Sequence, residues 1–225
     1  MTSINIYLES GEKKVFASAV DWPGWSRAGR DEDLTLQVLF DYGPRYARVL
    51  NTGGLDFQPP KELSQMTITE RHAGNSTTDF GAPTIIPEDD NAPFSPETFE
   101  FSQKLLQACW LAFDNAVQAA AGRELRKGPR GGGRDVDKII THVLEADRGY
   151  LTRIAWKHKL DSGEDFGSQL SSIRQAIIKA LKVAANEGLP ERGPRGGIIW
   201  PPRYFVRRAA WHVLDHAWEI EDRIM

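Results

Sequence analysis

The chain has 225 residues, a net charge of −3, 40% hydrophobic and 26% charged residues, which is the profile of a globular protein with one large core or two small ones. Its near-neutral charge argues against nucleic acid or an acidic membrane surface as a partner, and no apolar run nears the roughly 20 residues that span a bilayer. The single cysteine, Cys109, cannot form an internal disulfide and the opening MTSINIYLESGEKK lacks a signal-peptide layout, so the expectation is a cytoplasmic protein.

In INIYL, residues Ile4, Ile6 and Leu8 alternate onto one face, which predicts a strand. The turn ESGEK and the apolar run KVFASAV complete a hairpin over residues 4 to 20. A Pro-Gly turn, DWPGW, leads into a short third strand in WSRAG. The segment RDEDLTLQVLFDY predicts a helix, with Asp31 as N-cap and acids in its first turn. Gly43 and Pro44 are expected to break or kink it before RYARVL. QMTITERH has strand character. Residues 1–81 thus read as a small mixed N-terminal domain, and the Pro-rich stretch 82–94 as a linker.

Residues 95–225 read as helical. Ser95 is an N-cap with Pro96 at the first helical position and Glu97 in the first turn. A second helix starts at Asp135, a third lies near FGSQLSSIRQAIIKALKVAAN, and a fourth is entered through Pro201 and Pro202. Four helices with loops of modest length imply a bundle, so the fold class is α+β: a mixed domain followed by a four-helix bundle.

The fourth helix contains AAWHVLDHAW. At 100° per residue, Phe205, Val206, Ala209, Val213, Ile220 and Ile224 form one apolar stripe. His212 and His216 lie along its edge. Trp211, Leu214 and Trp218 form a second apolar patch, predicting that the helix is packed on two sides, against the N-terminal domain or a second subunit. Side chains four apart have Cβ atoms about 5–6 Å apart, so two imidazoles there can converge on one ion. Ordinary half-buried histidines with backbone or acid partners are the alternative. On the second helix, His142 lies on the flank of the apolar stripe and Asp147 at its centre, where a carboxylate must be paired or hydrogen-bonded. His72 and His158 read as surface residues, and Cys109 as a buried structural thiol.

THVLEADRGYLTRI and AAWHVLDHAWEIEDR resemble the DinB/YfiT-like four-helix proteins, over about residues 95 to 225. That family carries one histidine on helix two and an H-x-x-x-H pair on helix four, and His142, His212 and His216 fill those positions. The resemblance implies a bundle with two parallel central helices and a three-histidine metal site. A fainter similarity, SAVDWPGWSRAGRDEDLTLQVL, is to the HicB-type antitoxin pattern over residues 4 to 50.

Three neutral nitrogen ligands favour a divalent transition metal (zinc, nickel or iron) and leave a position open. Such a site activates water or binds a thiolate or carboxylate. Asp147, Asp215 and Glu219 are near enough in sequence to orient an imidazole. GPRGG occurs at 128–132 and 193–197, before each histidine-bearing helix. Arg130 and Arg134, in and just after the first of these loops, are candidates for an anion dock. In the family topology the two loops lie at opposite ends, so only one can flank the metal, and the first is the expected one. Some DinB-like relatives transfer low-molecular-weight thiols or isomerise small acids. The resemblance therefore implies a thiol-dependent transferase or isomerase acting on a small anionic substrate, while the Trp211 and Trp218 patch makes a homodimer one expected assembly. The alternatives are a metal-dependent hydrolase and a non-enzymatic stress or interaction module with a structural metal.

Overall fold

The expected hairpin forms: β1 (Ile4–Ser10) pairs antiparallel with β2 (Val15–Ala19), and β2 with β3 (Ser26–Gly29). This is a computed structural model describing residues 3–127, 133–161, 163–193 and 196–225. β4 (Met66–Ala73) joins parallel to β1, giving the order β3-β2-β1-β4 with β1 inside. Being central, β1 is buried on both faces. Ile4, Ile6 and Leu8 enter the main core, while Tyr7 and Glu9 are buried on the alternate face.

Helix α1 (Glu32–Thr52) packs on β2 and β3, capped by Asp31, whose side chain accepts from Leu34 N. It runs as one helix through Gly43 and Pro44, so of the expected break or kink the break does not occur. A mid-helix proline costs about 3 kcal/mol. Leu39, Tyr46 and Leu50 are each fully buried, and burying such side chains contributes about 1.5–3 kcal/mol apiece, which outweighs that cost. The missing side chain at Gly43 also matters, since a Cβ there would sit 3.3 Å from Trp25 and from Pro59.

A short helix, α2 (Ser76–Phe80), precedes the stretch expected as a linker. That stretch joins the two halves, but it is bound along its length. Thr84 and Ile85 donate their amides to the buried Glu9 carboxylate at 2.8 and 3.0 Å. Its 3-10 turn, Glu88–Asn91, buries Asp90, which binds Arg207 by two hydrogen bonds of 2.7 and 2.8 Å. The polar strap is needed because each buried charge must be matched.

The helical half comprises α3 (Pro96–Ala119), α4 (Val136–Arg153), α5 (Phe166–Glu187) and α6 (Pro202–Arg223). α3 packs on α5 and α6, and α4 packs on the same two helices. α4 and α6 run antiparallel: Trp200 N, just before α6, donates to Arg153 O at the end of α4 (2.8 Å), and Arg223 at the end of α6 donates to Arg134 O (2.8 Å). No helix among the described residues is long and apolar enough to cross a membrane.

The second apolar face of α6 is covered by the N-terminal half. Trp211 meets Phe16 edge-on at 6.1 Å, and Trp218 meets Tyr42 of α1 at 5.2 Å. Arg207 donates to the carbonyls of Ala19 and Val20 at 2.7 Å each. One continuous buried core therefore includes both halves, and this face of α6 does not call for a second subunit.

Candidate metal centre

Because α4 and α6 are antiparallel neighbours, His142, in the second turn of α4, lies beside the middle of α6. There it meets His212 and His216, and one ligand atom from each of the three lies within 4.8 Å of the others. The rings are 4.7 to 5.0 Å apart between centroids. Nε2 of His142 and Nε2 of His212 are 3.1 Å apart. That suits a hydrogen bond if one ring carries the proton, and it approaches the roughly 3.3 Å edge of a tetrahedron with 2.0–2.1 Å bonds. Three nearby histidines can hold a metal ion here.

Glu219 orients one of the three. His216 Nδ1 donates to its carboxylate at 2.8 Å, and Arg223 binds the other oxygen. This fixes the proton on Nδ1 and leaves the Nε2 lone pair available as a ligand. The His216 and Arg223 hydrogen bonds hold the Glu219 carboxyl below its usual range. His212 Nδ1 is buried and has no hydrogen-bond partner among the described residues.

The electrostatics keep two of the rings neutral. Burial pushes the His212 pKa well down, helped by His216, His142, Arg208 and Arg134. Burial also lowers His142, with Arg134 and His216 adding to it. Neutral imidazoles are the form that ligates.

The other expected residues divide. Arg134 is exposed, but its charge reaches His142 and His212. Arg130 lies outside the described residues, as do the rest of the first GPRGG segment and Pro194 and Arg195 of the second. Asp215 faces away, forming a salt bridge with Arg27 at 3.0 Å. Asp147 is buried as expected, yet its Oδ2 has no hydrogen-bond partner among the described residues. Burial instead raises its pKa from 3.8 to about 7, opposed by Arg174. Cys109 is fully buried, and burial pushes its thiol up, out of reactive range.

A cavity of about 1120 Å³ lies near the cluster, lined by none of the three histidines but by their neighbours. Glu145 and Ala146, one turn beyond His142, are on its wall, as are Tyr150 and Arg208. Tyr150 meets the His212 ring edge-on at 5.7 Å. The lining described is strongly basic: Arg148, Arg153, Lys157, Lys159 and Arg208 face a single acid, Glu145. Trp156, Trp200 and Tyr204 add aromatic surface. A second cavity of about 770 Å³, beside Trp110, Asp114 and Arg174, is lined by none of the three histidines.

Sequence reasoning missed this wall. Helical periodicity places Tyr150 on the apolar stripe of α4 and gives no sign of its place on the cavity wall. Arg208 was not singled out, although Arg208, His212 and His216 follow one another at helical spacing of four. Comparison with protein-family models, curated proteins and solved structures finds no match for the chain.

Proposed function

We propose that this protein is a metal-dependent enzyme of the DinB-like kind, a low-molecular-weight-thiol transferase or isomerase acting on a small anionic substrate. The observation that carries this reading is the convergence of His142, His212 and His216 beside a basic, aromatic cavity. Three imidazoles suit zinc, nickel or iron, and an ion held by three protein ligands keeps a position for a substrate atom. When bound, such an ion would favour the thiolate over the thiol. The chain's own part is separate: Glu219 holds the His216 ring in place, and the basic wall favours an anion beside the site.

The test is a titration of cobalt-loaded protein with an acidic and a neutral low-molecular-weight thiol at several pH values. Thiolate ligation gives a charge-transfer band. It should strengthen as pH rises toward the free thiol's pKa of about 8.5. No such band at any pH would overturn the thiol reading and leave hydrolysis or a structural metal.

A further inference from the structure

Arg208 is held more tightly than the other cations of the cavity wall. Its guanidinium donates to the Pro83 carbonyl of the strap. It lies 4.7 Å from the Trp211 ring centre and 5.7 Å from that of Tyr150. The side chain is half-buried, whereas the other cations of the wall are exposed. A guanidinium fixed between two rings keeps a planar fork ready for a planar anion, with little ordering left to do on binding.

Aromatic surface continues from that point. Tyr150 meets Trp200 at 5.5 Å, and Trp200 meets Tyr204 edge-on at 5.0 Å. All three line the cavity with Arg208. Arg208 is four residues before His212 on α6, so their Cβ atoms are about 6 Å apart. An anion on Arg208 would therefore sit one helical turn from the histidine cluster.

We infer that the cavity is a binding site for aromatic carboxylates: Arg208 receives the carboxylate, and Trp200, Tyr204 and Tyr150 receive the flat apolar body. This names a substrate class for the site proposed above and rests on that reading for the cavity's role, but the binding needs no turnover. It also places an anion receptor on α6.

The test is calorimetry with 3-phenylpropionate, its neutral amide 3-phenylpropionamide, and propionate. Wild-type protein is used as purified and after metal supplementation. The acid should bind at least tenfold tighter than the amide, and at least tenfold tighter than propionate. In Arg208→Gln the preference for acid over amide should fall below threefold. Equal binding of acid and amide by wild type overturns the carboxylate receptor, and this holds even where the variant fails to fold. An undiminished preference in folded Arg208→Gln, as expected if the carboxylate sits on the metal, overturns the role of Arg208. Equal binding of propionate overturns the aromatic subsite. Protein that lacks metal but discriminates acid from amide contradicts only the metal reading, and metal-bearing protein that ignores the acid contradicts only this inference.

Discussion

Glu219 accepts a hydrogen bond from His216 Nδ1 at 2.8 Å while its other oxygen binds Arg223. The pair fixes both the tautomer and the tilt of the ring, as in the carboxylate–histidine supports common at metal sites. Glu219→Gln should therefore weaken metal affinity about 10–100-fold with little change in fold. Competition against a chromogenic chelator measures this. Unchanged affinity would remove Glu219 from the site.

Asp147 gives a pH-dependent expectation. Burial raises its folded-state pKa from 3.8 to about 7. A carboxyl raised in this way favours the folded state below its unfolded pKa, and that advantage disappears as pH rises through the folded value. The loss is complete above about pH 7 and amounts to at most roughly 4 kcal/mol, at about 1.4 kcal/mol per tenfold. Asp147→Asn cannot ionise. It should be near neutral in effect at pH 4 and stabilising by a few kcal/mol at pH 8, measured by urea denaturation. The same stability change at both pH values would contradict the burial argument.

Asp90 and Arg207 join the strap to α6, and both are almost fully buried. Removing the carboxylate leaves a buried guanidinium without its counter-charge, so Asp90→Ala should destabilise by about 3–5 kcal/mol. Because Arg207 also binds the carbonyls of Ala19 and Val20, the loss should appear in one cooperative transition. Two separate transitions in the wild type would show that the halves unfold independently.

Local signals were the most readable part of the fold. Asp31, Ser95 and Asp135 each cap the helix that their sequence context predicts, because an N-cap depends only on residues within one turn. The passage of α1 through Pro44 was not readable, since what holds it is burial of Leu39, Tyr46 and Leu50 by distant segments. The strap was misjudged for a related reason. Its prolines suggest a free linker, while its partners, Glu9 and Arg207, lie far away in sequence.

At the site, the spacing of His212 and His216 was visible as a pair on one helix edge. His142 came from the family resemblance, because periodicity does not say which helices are neighbours. The same limit left Trp211 and Trp218 undecided between a second subunit and the N-terminal half, and Phe16 and Tyr42 now cover them. Asp147 shows a different limit: pattern placed it in the core correctly, but the expected partner for its buried oxygen is absent among the described residues.

The most direct test of the account is metal stoichiometry by elemental analysis, after supplementation with zinc, nickel or iron and removal of loosely bound ions. Wild type is compared with His142→Ala, His212→Ala and His216→Ala. The three ligand atoms lie within 4.8 Å of one another, so about one ion per chain is expected in the wild type. Each single variant should lose most of it. Equal metal in wild type and all three variants, or none in any of them, would contradict the assignment of His142, His212 and His216 as a metal centre.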